Sequence, residues 1–254
     1  MRVSKLSIAL LCAGPALTAL PVAAEDLTIV FKDGKGALQT QYFTANKMRH
    51  NMGDRDSIMD FATGTITSID NKRKEYSQVT LDQMEAAMKQ AAAQMEQAMA
   101  GVPPEMRAKM EQMMGGATGV ITVTKGGTKK VAGYDTQQYT ITMGESMKSD
   151  LWNTTALQLP FDPTQFRKMS GFSGPMAGGP MMKSAGKLAE KMKEVQGFTL
   201  AENTSVKVMG HGTDTSKEAV EVKKGPIPAA TFAVPAGYKK VDSPMLKMGQ
   251  GRPQ

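Results

Sequence analysis

The chain has one cysteine, two histidines and one tryptophan, and aromatic residues fill only 6% of its 254 positions. Cys12 lies inside an uncharged run from Leu6 to Leu20. If that run is removed, no disulfide, thiolate nucleophile or thiolate metal site is available, so the fold must be held by burial. His50 and His211 stand apart, neither with a second histidine at metal-ligand spacing, and ordinary surface roles are expected for both. Gly171-Phe172-Ser173-Gly174 is not a nucleophile elbow, and Asp33-Gly34-Lys35-Gly36 has no third glycine for a dinucleotide loop. No Walker-type loop occurs, and no spacing pairs the carboxylates usefully. The residues call for no enzyme, no catalytic or metal-binding residue and no cofactor.

Long apolar runs are also scarce. The stretch from Leu6 to Leu20 follows Arg2 and Lys5 and ends at Pro21-Val22-Ala23-Ala24, ahead of Glu25-Asp26. A basic start, a short apolar core and small residues at the cut spell a cleavable secretory signal, with cleavage expected after Ala24. Spanning a bilayer takes about 20 apolar residues, and this run falls short. Leu10 and Leu11 before Cys12 do not suit lipoprotein acylation. Residues 1–24 are therefore read as signal peptide, and the location as periplasmic or secreted. Removing 24 residues leaves 230, and losing Arg2 and Lys5 lowers the formal charge from +7 to +5. The lysines are scattered rather than massed in a stripe, which excludes nucleic acid as the expected partner. The densest run, Lys72-Arg73-Lys74, sits in an expected turn.

What is present is alternation, then a change of period. Leu27, Ile29 and Phe31 alternate with Thr28, Val30 and Lys32, the signature of a half-buried strand. Asp33 to Gly36 turns, Leu38 to Met48 alternates, Ile58–Phe61 and Gly64–Ile69 form a hairpin around Thr63-Gly64, and Glu75–Val79 follows the turn at Asp70. This is an antiparallel meander. Leu81, Met84, Met88, Ala91, Met95, Ala98 and Val102 then recur at steps of three and four, one stripe of a helix. Thr80 and Gln83 fit a capping box, with Val79 and Met84 as its hydrophobic staple. Pro103-Pro104 opens a second helix striped by Met106, Met110 and Met113. The helical hairpin is placed at 80–114. Strands are expected at Val120–Thr124 and, beyond a turn at Gly126-Gly127, at Lys129–Met143. Others carry Leu151-Trp152, Phe198–Met209 and Ala219–Val222. A glycine-rich loop at 171–180 leads into a third helix at 181–196. Residues 25–241 form one α+β domain, and 242–254 a flexible tail.

Methionine is over-represented, at 22 residues. Three readings are open: Met fills a helix face packed on the sheet, lines a groove for apolar ligands or partners, or captures Cu(I) through thioethers. Met110–Met114 and Met176–Met182 are the clusters for the metal reading. The groove reading names Leu81, Met84, Met88, Met95, Met99, Met106, Met110 and Met113 as ligand-binding residues. Lys183, Lys187, Lys191 and Lys193 give the third helix a basic face that could touch an anionic membrane surface.

Lys47-Met48-Arg49, Ile58-Met59-Asp60, Lys72 to Tyr76, Val102-Pro103-Pro104-Glu105 with Met110 to Met114, Val131-Ala132-Gly133-Tyr134, Leu151-Trp152 and Phe232 to Tyr238 occur in an order that resembles bacterial proteins carrying the domain of unknown function 4412. The likeness covers about residues 27–240. It implies a fold similar to the periplasmic lipoprotein carriers (LolA-like). That is a curved antiparallel sheet, a half-open barrel, with Met-rich helices covering its concave face. It also implies an exported binding or carrier role toward lipid-like ligands or lipoproteins. A copper-binding protein, or an envelope partner-interaction or stress-sensing module, are the alternatives.

Overall fold

A computed structural model of the chain describes residues 25–101, 105, 120–162, 190–208 and 211–247. The expected signal segment, the second helix with Met106, Met110 and Met113, the 171–180 loop and most of the third helix lie outside the described residues.

The alternating sequence at the start folds as six consecutive antiparallel strands: β1 (Leu27–Asp33), β2 (Leu38–Phe43), β3 (Lys47–Asn51), β4 (Arg55–Asp60), β5 (Thr65–Asp70) and β6 (Glu75–Thr80). The stretch from Leu38 to Met48, expected as one strand, is broken at Thr44, where the chain turns into β3. Helix α1 (Leu81–Ala100) follows. A second meander comprises β7 (Ile121–Val131), β8 (Tyr134–Met143), β9 (Met147–Thr154), β10 (Phe198–Val208) and β11 (His211–Lys224). A short β12 (Lys239–Lys240) and a single helical turn, α2 (Pro244–Lys247), end the described chain.

Among the described residues all twelve strands join one sheet, in the order β12-β6-β5-β4-β3-β2-β1-β11-β10-β9-β8-β7. Every pairing is antiparallel except β12 beside β6. The sheet is open, with β7 and β12 at its edges, and it curves. In a flat sheet β7 and β11, four places apart, would be separated by roughly 19 Å. Yet Lys129 Nζ on β7 lies 2.7 Å from Glu218 Oε2 on β11 and 4.7 Å from the centre of the Trp152 ring on β9. Two long side chains cannot bridge that span unless the intervening strands coil toward each other. Register shifts at Lys125/Thr128, Thr199/Ala201 and Val30/Phe31 provide the bends.

The first of these corrects the sequence reading. Gly126-Gly127 is a bulge inside one continuous strand, not a turn. A Cβ at Gly126 would meet Gln138 Oε1 at 2.6 Å, so the bare backbone is what lets β8 approach there. The turn falls six residues later, at Ala132-Gly133, both with positive φ, as a two-residue hairpin of this twist requires. The third helix is also shorter at its described end. Glu190-Lys191 is helical, Met192–Glu194 is a 3-10 turn, and Val195 is extended. Packing continues past Asp242, where the tail was expected to begin: Ser243 is buried and Leu246 rests on the core.

Helix α1 starts as its residues dictate. The Thr80 hydroxyl accepts the Gln83 N–H at 3.2 Å, and the Gln83 side chain accepts the Thr80 N–H at 3.0 Å. Val79 and Met84 are both buried in the main core, as a hydrophobic staple demands.

Candidate functional site

Register turns sequence alternation into rows. Across β1 to β6, Leu27, Phe43, Met48, Met59, Ile66 and Val79 stand opposite one another on one face. All belong to the main apolar cluster or pack against it. The next row on that face is Ile29, Gln41, His50, Ser57, Ser68 and Ser77. One step along the strands, about 7 Å, therefore changes an apolar floor into a polar one.

The apolar row is roofed by side chains outside the ladder. Phe61 comes from the β4–β5 turn, Leu157 and Phe161 from the segment leaving β9, and Leu81 and Met84 from the first turn of α1. The ring centre of Phe161 lies 6.0 Å from that of Phe43 and 4.6 Å from that of Phe61, while Phe198 meets Phe43 edge-on at 5.7 Å. Fully burying an apolar side chain of this size contributes about 1.5–3 kcal/mol. Of the ligand-binding residues expected from sequence, Met84 is buried at 4% exposure and Leu81 is half-buried, both packed into this roof. Met88, Met95 and Met99 lie on α1 with side chains outside the description, and Met106, Met110 and Met113 fall outside the described residues altogether. The clusters invoked for Cu(I) fall there too. Sequence reasoning missed Met48 and Met59, a directly opposed pair on the floor. The signal for them is β-period alternation rather than the helical spacing that marks the other methionines.

Beside the β1–β2 turn lies a trough of about 910 Å³, lined by residues that the register assigns to both faces of the sheet, Lys217 and Glu202 on one and Asp150 and Asp214 on the other. Asp33, Gln39, Lys217 and Glu202 line it, and register places Asp33 opposite Lys217 and Lys217 opposite Glu202. Lys217 Nζ is 3.1 Å from Glu202 Oε2 and 5.8 Å from the centre of the Phe31 ring. Lys148 pairs with Asp150 at 3.3 Å. The Asp150 carboxyl is pushed up by burial, yet ends below its ordinary value because Thr140, Lys148 and Gln138 hydrogen-bond its charged form.

His50 is not the surface histidine that was expected. It is half-buried, with Nε2 3.2 Å from Gln39 Oε1. Burial first, and the Lys217 ammonium second, lower its pKa against a smaller upward pull from Asp56.

The opposite face carries a second constellation. Asp56 is buried at 3% exposure and ion-paired with Arg49. Arg49 Nη1 also donates to the carbonyl of Thr231 at 2.5 Å. Asn71 donates to Asp56 at 3.2 Å and accepts from the Tyr238 hydroxyl at 3.0 Å. These bonds strap residues 229–241 across β3 to β6. The arrangement is a structural tie with no nucleophile or proton acceptor free to react.

The family model described as "Domain of unknown function (DUF4412)" matches residues 22–238. No curated protein matches the chain. Among solved structures, an uncharacterized conserved protein from Thermus thermophilus is similar at a TM-score of 0.42 and 6% identity, over 87% of this chain and 92% of that one. MucB is similar at 0.34 and 12% identity, over 85% and 60%. Likenesses this distant carry no functional argument.

Proposed function

We propose, from the premise that this chain belongs to the DUF4412 family, that it is an exported, non-catalytic binding protein sheltering an apolar group, such as an acyl chain of a lipid or lipoprotein. The carrying observation is the six-strand apolar row roofed by a loop and a helix start rather than by another sheet. Magnitudes favour exchange. Lifting Leu157 and Phe161 forfeits about 3–6 kcal/mol of burial, whereas an acyl chain of about 14 methylenes gains roughly 11 kcal/mol at ~0.8 kcal/mol each. An acyl chain can therefore displace the roof, while a ligand of a few carbons cannot.

Export is part of this proposal, because a carrier of acyl groups serves a membrane. Two residues past the expected cut, Asp26 is tied to the end of β11: its backbone carbonyl accepts the Gly225 N–H and its carboxylate the Ile227 N–H. Intact mass of the protein from the extracytoplasmic fraction should correspond to a chain starting at Glu25.

Native mass spectrometry of protein purified from a membrane-containing host is expected to show co-purified acyl species. The Ile66→Glu variant, if its circular dichroism matches the parent, should lose them. Repeated recovery of bare protein that also fails to take up added acyl lipid would sink the proposal. Retention of Cu(I) against a chelator by that bare protein would move the assignment to the thioether alternative.

A further inference from the structure

Burial and bonding part company along the polar row. Among the described residues, the buried side chains of Asp56, Thr67, Thr136, Ser149, Asn153 and Thr154 each take part in a hydrogen bond, as buried polar groups ordinarily must. The side chains of Gln41, at 8% exposure, and Ser77, at 6%, take part in none. Ser243, the one other buried polar residue in that state, precedes α2. Gln41 and Ser77 are the two flanks of the row Gln41, His50, Ser57, Ser68 and Ser77, whose members stand opposite one another across β2 to β6 on the face of the apolar row. Between them, the hydroxyls of Ser57 and Ser68 are unbonded too. At His50 the amide oxygen of Gln39 can only accept, so Nε2 carries the ring proton and Nδ1 is left as an acceptor without a donor.

These groups are covered without being sealed. Among the described side-chain nitrogens and oxygens, only Arg49 Nε is both shut off from solvent and without a partner. The Gln41 amide and the Ser77 hydroxyl therefore border accessible space although the side chains that carry them are more than nine-tenths buried. Strands about 4.8 Å apart present one such group per strand, a single step of about 7 Å from the apolar row. The row itself contains no charged residue. On the same face Lys217 is already paired with Glu202, and Arg55, next beyond Ser57 on β4, stands directly opposite Asp70. An ionised head lying on the row would lose its hydration without gaining a counter-ion. Hydroxyls and an amide each donate and accept, which matches an occupant whose own groups do both.

We infer that the row from Gln41 to Ser77 holds the uncharged, hydroxyl-bearing head group of an amphiphile whose acyl or alkyl tail lies on the adjoining apolar row. The inference deepens the apolar-ligand reading and rests on it for the tail. Head groups of this chemistry are carried by glycerol esters and by glycosides.

The test titrates the full mature chain, below micellar concentrations and followed by calorimetry, with three amphiphiles of equal chain length: 1-monomyristoylglycerol, tetradecyl glucoside and ionised myristate. At least one of the two uncharged amphiphiles should bind at least tenfold more tightly than myristate, and the tighter of the two names the source of the head. Gln41→Met and Ser77→Ala should each reduce that preference several-fold and leave myristate binding little changed. Because neither variant removes a hydrogen bond of the free protein, the Tm of each should equal or exceed that of the parent. A clear fall in Tm for both variants shows that these groups serve the fold, and overturns the inference. So does undiminished binding of the uncharged amphiphiles by both variants. Equal affinity for all three amphiphiles, or preference for myristate, overturns the head-group assignment and leaves the acyl reading standing. Absence of binding by all three overturns both.

Discussion

Single residues carry strain and charge whose effects can be measured separately. Lys74 closes the β5–β6 turn at φ 52, a left-handed conformation that costs a side chain about 1–2 kcal/mol and glycine almost nothing. Glycine gives back part of that gain through the entropy of the unfolded chain. Lys74→Gly should therefore stabilise by about 0.5 kcal/mol net, seen as a rise of roughly 1–2 °C in Tm. His50 sets a pH dependence. Its folded pKa is lowered, so below the ordinary value near 6.5 the unfolded chain takes up the proton first. Stability is then full above about pH 6.5 and declines as pH falls toward the lowered folded pKa. His50→Gln should flatten the fall of Tm between about pH 7 and 5 relative to the parent. An unchanged slope would remove His50 from the account. The turn that holds Lys74 was legible in the sequence; the pH dependence was not. A lone histidine on an alternating strand does not reveal which face it shares with Lys217, because β3 and β11 are distant along the chain.

At the scale of elements, two terminations do the holding. The Thr80–Gln83 box starts α1 where its first turn must cover the apolar row. Thr80→Ala should cost about 1 kcal/mol and raise amide exchange over Leu81–Met84. The C-terminal strap depends on Arg49, which joins the buried Asp56 carboxylate to the carbonyls of Thr231 and Ala233. Arg49→Ala leaves Asp56 buried without its cation and should cost about 3–5 kcal/mol. Exchange protection should fall first over residues 229–241, and protection in β1 and β2 should outlast it. If the strap stays protected to global unfolding, Arg49 is not its anchor.

Elements with strong local signals were legible: the first meander, though as five strands with Leu38–Met48 undivided, the capping box and the β4–β5 turn. The strap was not, since Phe232–Tyr238 has neither alternation nor helical period and is placed by long-range bonds. Three of the segments on which the family resemblance rests (Lys47–Arg49, Ile58–Asp60 and Phe232–Tyr238) meet in or beside this tie, and Lys47 pairs with Asp60 at 3.1 Å. Gly126-Gly127 misled for a comparable reason. A glycine pair reads as a turn locally, and only the approach of Gln138 shows it to be a bulge.

For the whole molecule, an antiparallel sheet could be read from alternation, and its open, curved form from the family resemblance. The join between its halves could not, because no local signal says that the first strand pairs with the eleventh. That join has a consequence. Read from one edge, the strands run seven to eleven, then one to six, so each half is built of chain neighbours, and one long ladder, β1 with β11, sews them together. Leu27 stands opposite Lys224 in that ladder. A circular permutant that keeps the strap, joined from beyond Lys247 back to Glu25 and opened between α1 and β7, would bring β11 and β1 closer in sequence, and it should refold faster than the parent. The parent, nicked between α1 and β7, should remain a two-piece complex, because the cut crosses no strand pairing. Co-expressed halves that fail to co-purify would show that the stitching needs more than its visible thread.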